Sequence, residues 1–184
     1  MKPKKRIIIF IDGSNLYHIT KKVNRELGKS FLFDIERFIE YLAGEEELIK
    51  TFYYTAPLNR KKDLETYSKQ QKFFSKIRKI PNFELVLCRM QKEKIDGKTI
   101  YLVKEDDIHL AVDMVNLAHK NSYEGAILVS SDGDFVPAIK IVQEVGKRVI
   151  NVGFENKFSW HLKQKCDRFL KLKNKEILQF FRKK

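Results

Sequence analysis

The sequence predicts an α/β fold built on a central, mostly parallel β-sheet. Continuous β-branched and aromatic runs, such as residues 7–11 and 126–129, are typical of strands buried on both faces. These runs alternate with segments of helical periodicity, and the connections between them are short. A hydrophobic fraction of 43% in 184 residues suffices for one core and excludes disordered, collagenous and small disulfide-rich proteins.

Capping residues, glycines and prolines set the expected boundaries of the elements. The expected strands are residues 6–11, 48–55, 83–90, 126–129, 149–152 and an edge strand at 168–172. The expected helices are residues 15–27, 35–42, 61–80, 106–119, 135–145 and 176–181. Ser14, Asp34 and Ser159 are the expected N-caps of three helices. Asp96-Gly97 between two apolar runs predicts a small β-hairpin near residues 92–103.

Composition and charge limit the possible functions. No apolar run approaches the roughly 18 residues of a membrane span, so we expect a cytoplasmic protein without membrane contact. Cys88 and Cys166 lie outside any zinc-ligand spacing. There are 37 Lys and Arg residues against 24 Asp and Glu, and this excess favours polyanionic partners. We expect a single domain over residues 1–184, with a basic C-terminal extension from about residue 173.

Three aspartates follow two strands of the expected sheet. Asp12 comes directly after the first strand, and Asp132 and Asp134 follow the strand at residues 126–129. Because functional residues of open parallel sheets gather beyond the carboxyl ends of the strands, these side chains are expected to meet at one edge. Each acid alone also has a structural interpretation, as a turn residue for Asp12 or a helix cap for Asp134.

The helix at residues 106–119 supplies a fourth acid. Measured from Ile108, a rotation of about 100° per residue places Asp107 between Met114 and Ala118, on the apolar side. Asp106 and Asp113 then lie on the polar side, which makes Asp107 the expected site residue. Crowded carboxylates repel one another unless a cation neutralises them. Oxygen ligands without paired histidines favour Mg²⁺ or Mn²⁺ over zinc.

The sequence lacks the motifs of other common α/β enzymes. The chain has no GxGxxG after its first strand, no P-loop and no GxSxG segment, which argues against dinucleotide oxidoreductases, P-loop NTPases and α/β hydrolases. A haloacid-dehalogenase-like phosphatase would need a second Asp where this chain has Ser14.

Three ordered segments resemble the NYN domain, a family of PIN-like ribonucleases. The segments are residues 9–16, 104–114 and 128–137. The resemblance implies a three-layer α/β/α PIN-like sandwich over residues 6–172 and an acidic nuclease centre that uses Mg²⁺ or Mn²⁺. The implied catalytic and metal-binding residues are Asp12, Asp107, Asp132 and Asp134. The residues implied to bind substrate are Asn15, Lys104, Ser130 and Ser131.

One departure from the family pattern leaves a choice open. Glu105 and Asp106 stand where a small residue and an apolar one are usual before the acid. The resemblance therefore leaves open whether Asp106 or Asp107 faces the metal.

The expected function is metal-dependent hydrolysis of RNA, with 5′-phosphate ends implied by the family. Residues 56–100 carry 12 bases and 5 acids, and residues 157–184 carry 10 and 2, so both segments are expected to hold single-stranded RNA. The candidates for base stacking are Tyr53, Tyr54, Tyr101 and Trp160. The alternatives are a non-catalytic RNA-binding or adaptor module on the same fold and a phosphatase for small phosphates. Homodimer formation is left open.

Overall fold

The structure is a computed structural model that describes residues 3–26, 31–61, 63–95, 98–155 and 157–183. In chain order, the strands are β1 (Arg6–Asp12), β2 (Phe31–Phe33), β3 (Glu47–Thr55), β4 (Phe83–Leu87), β5 (Arg89–Ile95), β6 (Lys98–Lys104), β7 (Gly125–Val129), β8 (Arg148–Phe154), β9 (Arg168–Leu172) and β10 (Phe181–Lys183). The helices are α1 (Gly13–Glu26), α2 (Ile35–Ala43), α3 (Leu64–Ile77), α4 (Asp106–His119), α5 (Val136–Glu144), α6 (Trp160–Lys165) and α7 (Asn174–Leu178), with a 3₁₀ turn at Gly133–Phe135.

Six strands form a parallel sheet in the order β4-β3-β1-β7-β8-β9. From β1 the chain builds outward through β3 to β4 on one side, and later through β7 to β9 on the other. The strand order therefore reverses between β1 and β7, where α/β sheets form a crevice beyond the carboxyl ends of the strands. Ile11 pairs with Val129, so β1 and β7 end side by side at this crevice.

Helices cover both faces of the sheet, which makes the fold a three-layer α/β/α sandwich. Successive side chains of β1 point to opposite faces. Ile9 and Ile11 join the core formed with α1, α2, α3 and α7, whereas Ile8 and Phe10 join the core formed with α4, α5 and α6. The predicted fold class is confirmed.

Local predictions at helix ends are partly confirmed. Asp34 and Ser159 cap α2 and α6, accepting hydrogen bonds from the N–H groups of Arg37 and Leu162, each at 3.3 Å. The prediction that Ser14 is an N-cap is wrong. Helix α1 begins at Gly13, and the Asp12 carboxylate accepts the hydrogen bond from the Asn15 N–H in its first turn. The predicted end of this helix at Gly28 lies outside the described residues.

Other boundaries differ where a cap or a tertiary contact intervenes. Asp63 accepts hydrogen bonds from Thr66, so the helix predicted at residues 61–80 is shortened to α3. The strand predicted at 83–90 divides at Cys88 into β4 and β5, and β5 pairs antiparallel with β6 as the predicted hairpin. The Asp96-Gly97 turn lies outside the described residues.

The end of the chain folds back onto its first third. The helix predicted at residues 176–181 is found as α7, and β10 pairs antiparallel with β2. Ile177 and Phe180 are 2% and 1% exposed, so this segment contributes to the core beneath α1 and α2. Among the helices of the described ranges, none has the length and apolar character required to cross a membrane.

Candidate functional site

Asp12 lies at the carboxyl end of β1, in the crevice between β1 and β7. The residue is 7% exposed. Its Oδ1 accepts a hydrogen bond from the Asn15 backbone N–H at 2.9 Å, and its Oδ2 accepts one from the Ser130 hydroxyl at 2.9 Å. Burial raises the pKa of Asp12, the two hydrogen bonds lower it, and repulsion by Asp106 and Asp132 raises it further. Asp12 is thus held rigidly in a place that resists its negative charge.

The loop after β7 brings two more carboxylates to the same edge. Fully buried Ser130 directly follows β7, and its oxygen accepts a hydrogen bond from the Asp132 N–H at 3.1 Å. Asp132 caps the 3₁₀ turn, because its Oδ1 accepts a hydrogen bond from the Asp134 N–H at 2.9 Å. One serine hydroxyl therefore links Asp12 on β1 to the turn that carries Asp132 and Asp134.

The start of α4 adds Asp106 and Asp107. Glu105 has a positive φ of 75°, a left-handed conformation that is uncommon for a residue with a side chain, and it turns the chain from β6 into α4. Asp106 is 9% exposed, and the Ser14 hydroxyl lies 3.5 Å from its Oδ2. Asp106 is therefore the more buried of the two acids and lies against the first turn of α1.

The expectation that Asp107 lies on the apolar face of this helix, with Asp106 on the polar face, is wrong. That expectation places Asp107 between Met114 and Ala118 on the buried side, yet Asp107 is exposed. The buried stripe of α4 instead follows a spacing of four residues and consists of Asp106, Leu110, Met114 and Ala118. Apolar residues occur on two sides of α4, so periodicity alone does not distinguish the buried side.

Asp107 nevertheless belongs to the same electrostatic environment. Partial burial raises the pKa of Asp107 to about 6. Repulsion adds to this increase, and the carboxylates responsible are those of Asp106, Asp12, Asp132 and Asp134. We call these five residues, including Asp107, the acid cluster. In the described part of the chain, none of the five forms an ion pair with Lys, Arg or His.

The chemistry of the acid cluster suits a hard divalent cation. Its donors are carboxylate oxygens. Asn15, whose backbone N–H binds Asp12, also has a buried Oδ1 atom with no hydrogen-bond partner among the described residues. Within those residues, no group of three or more His, Cys, Asp or Glu side chains lies close enough together to hold a metal ion. Both oxygens of Asp12 are already engaged in hydrogen bonds. The ligand type therefore fits Mg²⁺ or Mn²⁺, while the side chains are held in an internal hydrogen-bond network.

Two of the residues expected to bind substrate point to other partners. The Ser131 hydroxyl donates a hydrogen bond to the Lys157 carbonyl at 2.8 Å, which ties the loop after β7 to the segment after β8. The Lys104 ammonium lies 3.4 Å from a carboxylate oxygen of Glu93 on the hairpin. Asp113 accepts a hydrogen bond from the Tyr54 hydroxyl at 2.9 Å and stands apart from the acid cluster.

Sequence reasoning missed two residues that shape the site. Fully buried Asn151 on β8 donates hydrogen bonds from Nδ2 to the carbonyls of Leu128 and Ser130, at 3.1 and 2.9 Å. A Cβ atom at Gly13 would lie 2.4 Å from the Tyr53 ring, so only glycine lets α1 start this close to β3. An Asn inside an apolar strand is the sequence signal that could have identified the first of these two residues.

Comparison with known proteins identifies related sequences and related structures. Residues 6–173 match the sequence model of the NYN domain family. The Low amplitude and bright protein LabA of Synechococcus elongatus is 27% identical over 172 residues, covering 91% of this chain and 83% of that protein. The uncharacterised protein MJ0482 of Methanocaldococcus jannaschii is 26% identical over 171 residues, covering 93% of this chain and 57% of that protein. A crystal structure of the Vibrio parahaemolyticus protein of unknown function VPA0982 aligns with a TM-score of 0.68 at 27% identity, covering 93% of this chain and 94% of that one.

Proposed function

The chain belongs to the NYN domain family of ribonuclease-like proteins, and from this premise we propose that it is a metal-dependent ribonuclease acting at the acid cluster. One observation carries the proposal. Three separate segments bring five carboxylates to the point where the strand order of the sheet reverses, and none of them has a cationic partner within the described residues. Such a concentration of charge opposes folding unless a ligand compensates it.

Mg²⁺ or Mn²⁺ is the proposed cofactor, and the proposed ligands are Asp12, Asp107, Asp132 and Asp134, with Asp106 as the added candidate. When bound, such an ion neutralises phosphate charge and activates water for attack on a phosphodiester. The chain's own residues keep the acids in place. Ser130 holds Asp12 and the turn of Asp132 together. The Asn15 N–H, in the first turn of α1, donates a hydrogen bond to Asp12.

Unlike the buried acids Asp12 and Asp106, Asp107 is exposed, and its raised pKa of about 6 lies close to neutrality. Its carboxyl group therefore holds a proton in mildly acidic solution and is ionised at pH 7. In the proposed mechanism the ionised form is the competent one, since only a carboxylate attracts a divalent cation. Acidic solution should then weaken both metal binding and cleavage.

A non-catalytic RNA-binding or adaptor module is the second candidate. The observation that favours it is that the described acids do not already converge as a set of metal ligands. The positive charge of residues 157–184 serves both candidates equally, because sequence-independent RNA binding rests on phosphate contacts. Only a measurement of cleavage separates them.

The deciding experiment incubates the purified chain with a 5′-labelled single-stranded RNA in Mg²⁺, in Mn²⁺ and in excess EDTA. We expect cleavage with either metal and none with EDTA. Cleavage that survives exhaustive chelation would refute the metal-dependent mechanism. Binding of RNA without cleavage in any metal would favour the adaptor. Hydrolysis of mononucleotides but not of RNA would identify a phosphatase.

A further inference from the structure

A partly exposed aromatic surface lies beside the acid cluster, on β9 and the segment that follows β8. Its rings are Phe158, Trp160 and Phe169, and its cations are Lys163 and Lys171. Phe158 packs against Trp160 and Phe169, with ring centroids 5.5 and 5.6 Å apart. The Lys163 ammonium lies 4.4 Å from the Trp160 ring centroid, and the Lys171 ammonium lies 5.1 Å from that of Phe158. We call these five residues the aromatic–lysine patch.

The patch is built into the fold. A Cβ atom at Gly153 would lie 2.8 Å from the Phe158 Cβ and 2.7 Å from the Phe169 ring. Glycine at this position therefore lets the two phenylalanines pack directly on β8. Phe158 in turn packs against Trp160, yet 61% of Trp160 stays exposed to solvent. A large apolar ring held in this way, with an ammonium over its face, presents a flat surface next to positive charge.

Two contacts connect the patch to the acid cluster. The Ser131 hydroxyl binds the Lys157 carbonyl, three residues before Trp160. A Cβ atom at Gly133 would lie 3.3 Å from the Ser159 hydroxyl oxygen and 3.4 Å from His161 Nδ1. Gly133 separates Asp132 from Asp134, so the first turn of α6 lies directly against the turn that carries these acids. A nucleotide adjoining a phosphate at the acid cluster would reach this surface.

Two other aromatic residues expected to stack on bases are too buried to do so. Tyr53 and Tyr54 are 5% and 0% exposed. The Tyr53 hydroxyl donates a hydrogen bond to the Gly13 carbonyl at 3.3 Å, and the Tyr54 hydroxyl donates to Asp113. Both rings are therefore structural, whereas Trp160 is open to a ligand.

We propose that Trp160 stacks an unpaired nucleobase of single-stranded RNA beside the acid cluster, with Lys163 and Lys171 contacting the adjoining phosphates. This inference rests on the proposed function, and it specifies the substrate as single-stranded near the cleaved bond. A base offers its face to an indole only when it is not stacked within a duplex. The two lysines add salt-dependent affinity without sequence preference.

The chain contains one tryptophan, so emission excited at a wavelength that its seven tyrosines do not absorb reports on Trp160 alone. The experiment titrates the full chain in EDTA, where cleavage is blocked, with a short single-stranded RNA, the blunt duplex of the same sequence, or inorganic polyphosphate. We expect the single strand to quench the emission strongly, the duplex weakly, and polyphosphate not at all. Equal quenching by polyphosphate would overturn the proposal, because the indole would then sense charge rather than a base.

Variants provide a second readout through the anisotropy of a labelled single-stranded RNA. Trp160→Ala should weaken binding by between about fivefold and about a hundredfold, the range for removal of one stacking aromatic residue. Trp160→Phe should restore most of the affinity. Ile141→Ala, which alters an apolar residue 40% exposed on α5 and outside both basic segments, is the control and should leave binding unchanged. Unchanged binding by a folded Trp160→Ala variant would refute base stacking.

The outcomes separate this inference from the proposed function. Quenching by single-stranded RNA without cleavage in Mg²⁺ or Mn²⁺ would support the stacking site and refute the nuclease. Cleavage by wild-type protein without quenching would support the nuclease and refute the stacking site. Emission that changes with protein concentration in the absence of RNA would assign Trp160 to an interface between two copies of the chain and overturn the stacking proposal.

Discussion

The acid cluster and the lysines of α3 are both concentrations of like charge, but they differ in how that charge is compensated. On α3, Lys69 pairs with Glu65 one turn away, and Lys72 is open to water. In the acid cluster, Asp12 and Asp106 are buried, and the neighbouring carboxylates repel one another. Exposed charge costs little free energy, whereas uncompensated buried charge destabilises the fold. The acids are therefore the stronger indication of a function.

The two regions also differ in their position on the sheet. α3 connects the carboxyl end of β3 to the start of the parallel strand β4, so it runs back toward the opposite edge. Lys76 lies 12 residues beyond Leu64, which corresponds to about 18 Å along the helix. The lysines of α3 thus extend away from the acid cluster, while the aromatic–lysine patch adjoins it. Five predictions test this distinction.

The largest effect is expected from Asp132→Asn, which keeps the shape of the side chain and removes its charge. Cleavage of single-stranded RNA should fall by about a hundredfold or more, because the variant lacks a carboxylate for metal-mediated charge stabilisation. RNA binding should persist or improve, since one repulsive charge is gone. Asp113→Asn is the matched control, because Asp113 binds Tyr54 outside the acid cluster, and its activity should stay near wild type. Wild-type cleavage by Asp132→Asn would reduce Asp132 to a cap of the 3₁₀ turn.

The next effect concerns pH. Because the pKa of Asp107 in the metal-free chain is raised to about 6, protons compete with metal for this carboxylate, and cleavage at limiting metal should increase as pH rises from 5 to 7 and level off above that range. Initial rates measured across this range in wild type and in Asp107→Asn test the assignment. The variant should lose the pH dependence near 6 along with most of its activity. A wild-type cleavage rate that does not change from pH 5 to 7 would contradict the role assigned to Asp107.

A smaller effect is expected on stability without metal. A carboxyl group whose pKa is raised on folding binds its proton more tightly in the folded state, so its stabilising contribution is present at low pH and disappears as pH rises. For Asp107 this decline falls between its ordinary pKa near 4 and its raised pKa of about 6. Melting in EDTA should therefore show a lower Tm at pH 7 than at pH 5, and Asp107→Asn should reduce that difference.

Mg²⁺ should reverse part of this destabilisation at pH 7, because a ligand that binds only the folded state stabilises it. Asp132→Asn should respond less than wild type. An identical Tm with and without Mg²⁺ or Mn²⁺ in the wild-type chain would speak against a metal site at these acids.

The smallest effect on cleavage is expected from charge reversal on α3. Lys69, Lys72 and Lys76 changed together to Glu should weaken RNA binding and flatten its salt dependence, by about one unit of the log-log slope for each phosphate that the variant no longer binds. Cleavage at saturating RNA should stay close to wild type, because these residues lie away from the acid cluster. Anisotropy titrations at several salt concentrations measure the slope. An unchanged slope in a folded triple variant would indicate that RNA binds along residues 157–183 instead of α3.

Much of the architecture follows from the sequence. Continuous apolar strands of β-branched residues fix the parallel sheet, and the short polar segments after β1 and β7 place Asp12, Asp132 and Asp134 at one edge. Asp34 and Ser159 mark the starts of α2 and α6 because an N-cap acts within its own first turn. The β5–β6 hairpin is predictable for the same reason, because its two strands are neighbours along the chain.

Tertiary contacts decided the remainder. Asp106 rather than Asp107 lies on the buried side of α4, because the sheet surface selects one of two partly apolar sides of that helix. The pairing of β2 with β10 joins strands of three residues from opposite ends of the chain, too short to be distinguished by alternation of side chains. The hydrogen bond from Ser130 to Asp12 likewise joins residues 118 positions apart. Local patterns specify where elements begin and which period they follow, whereas the surface that each element meets determines which of its side chains are buried.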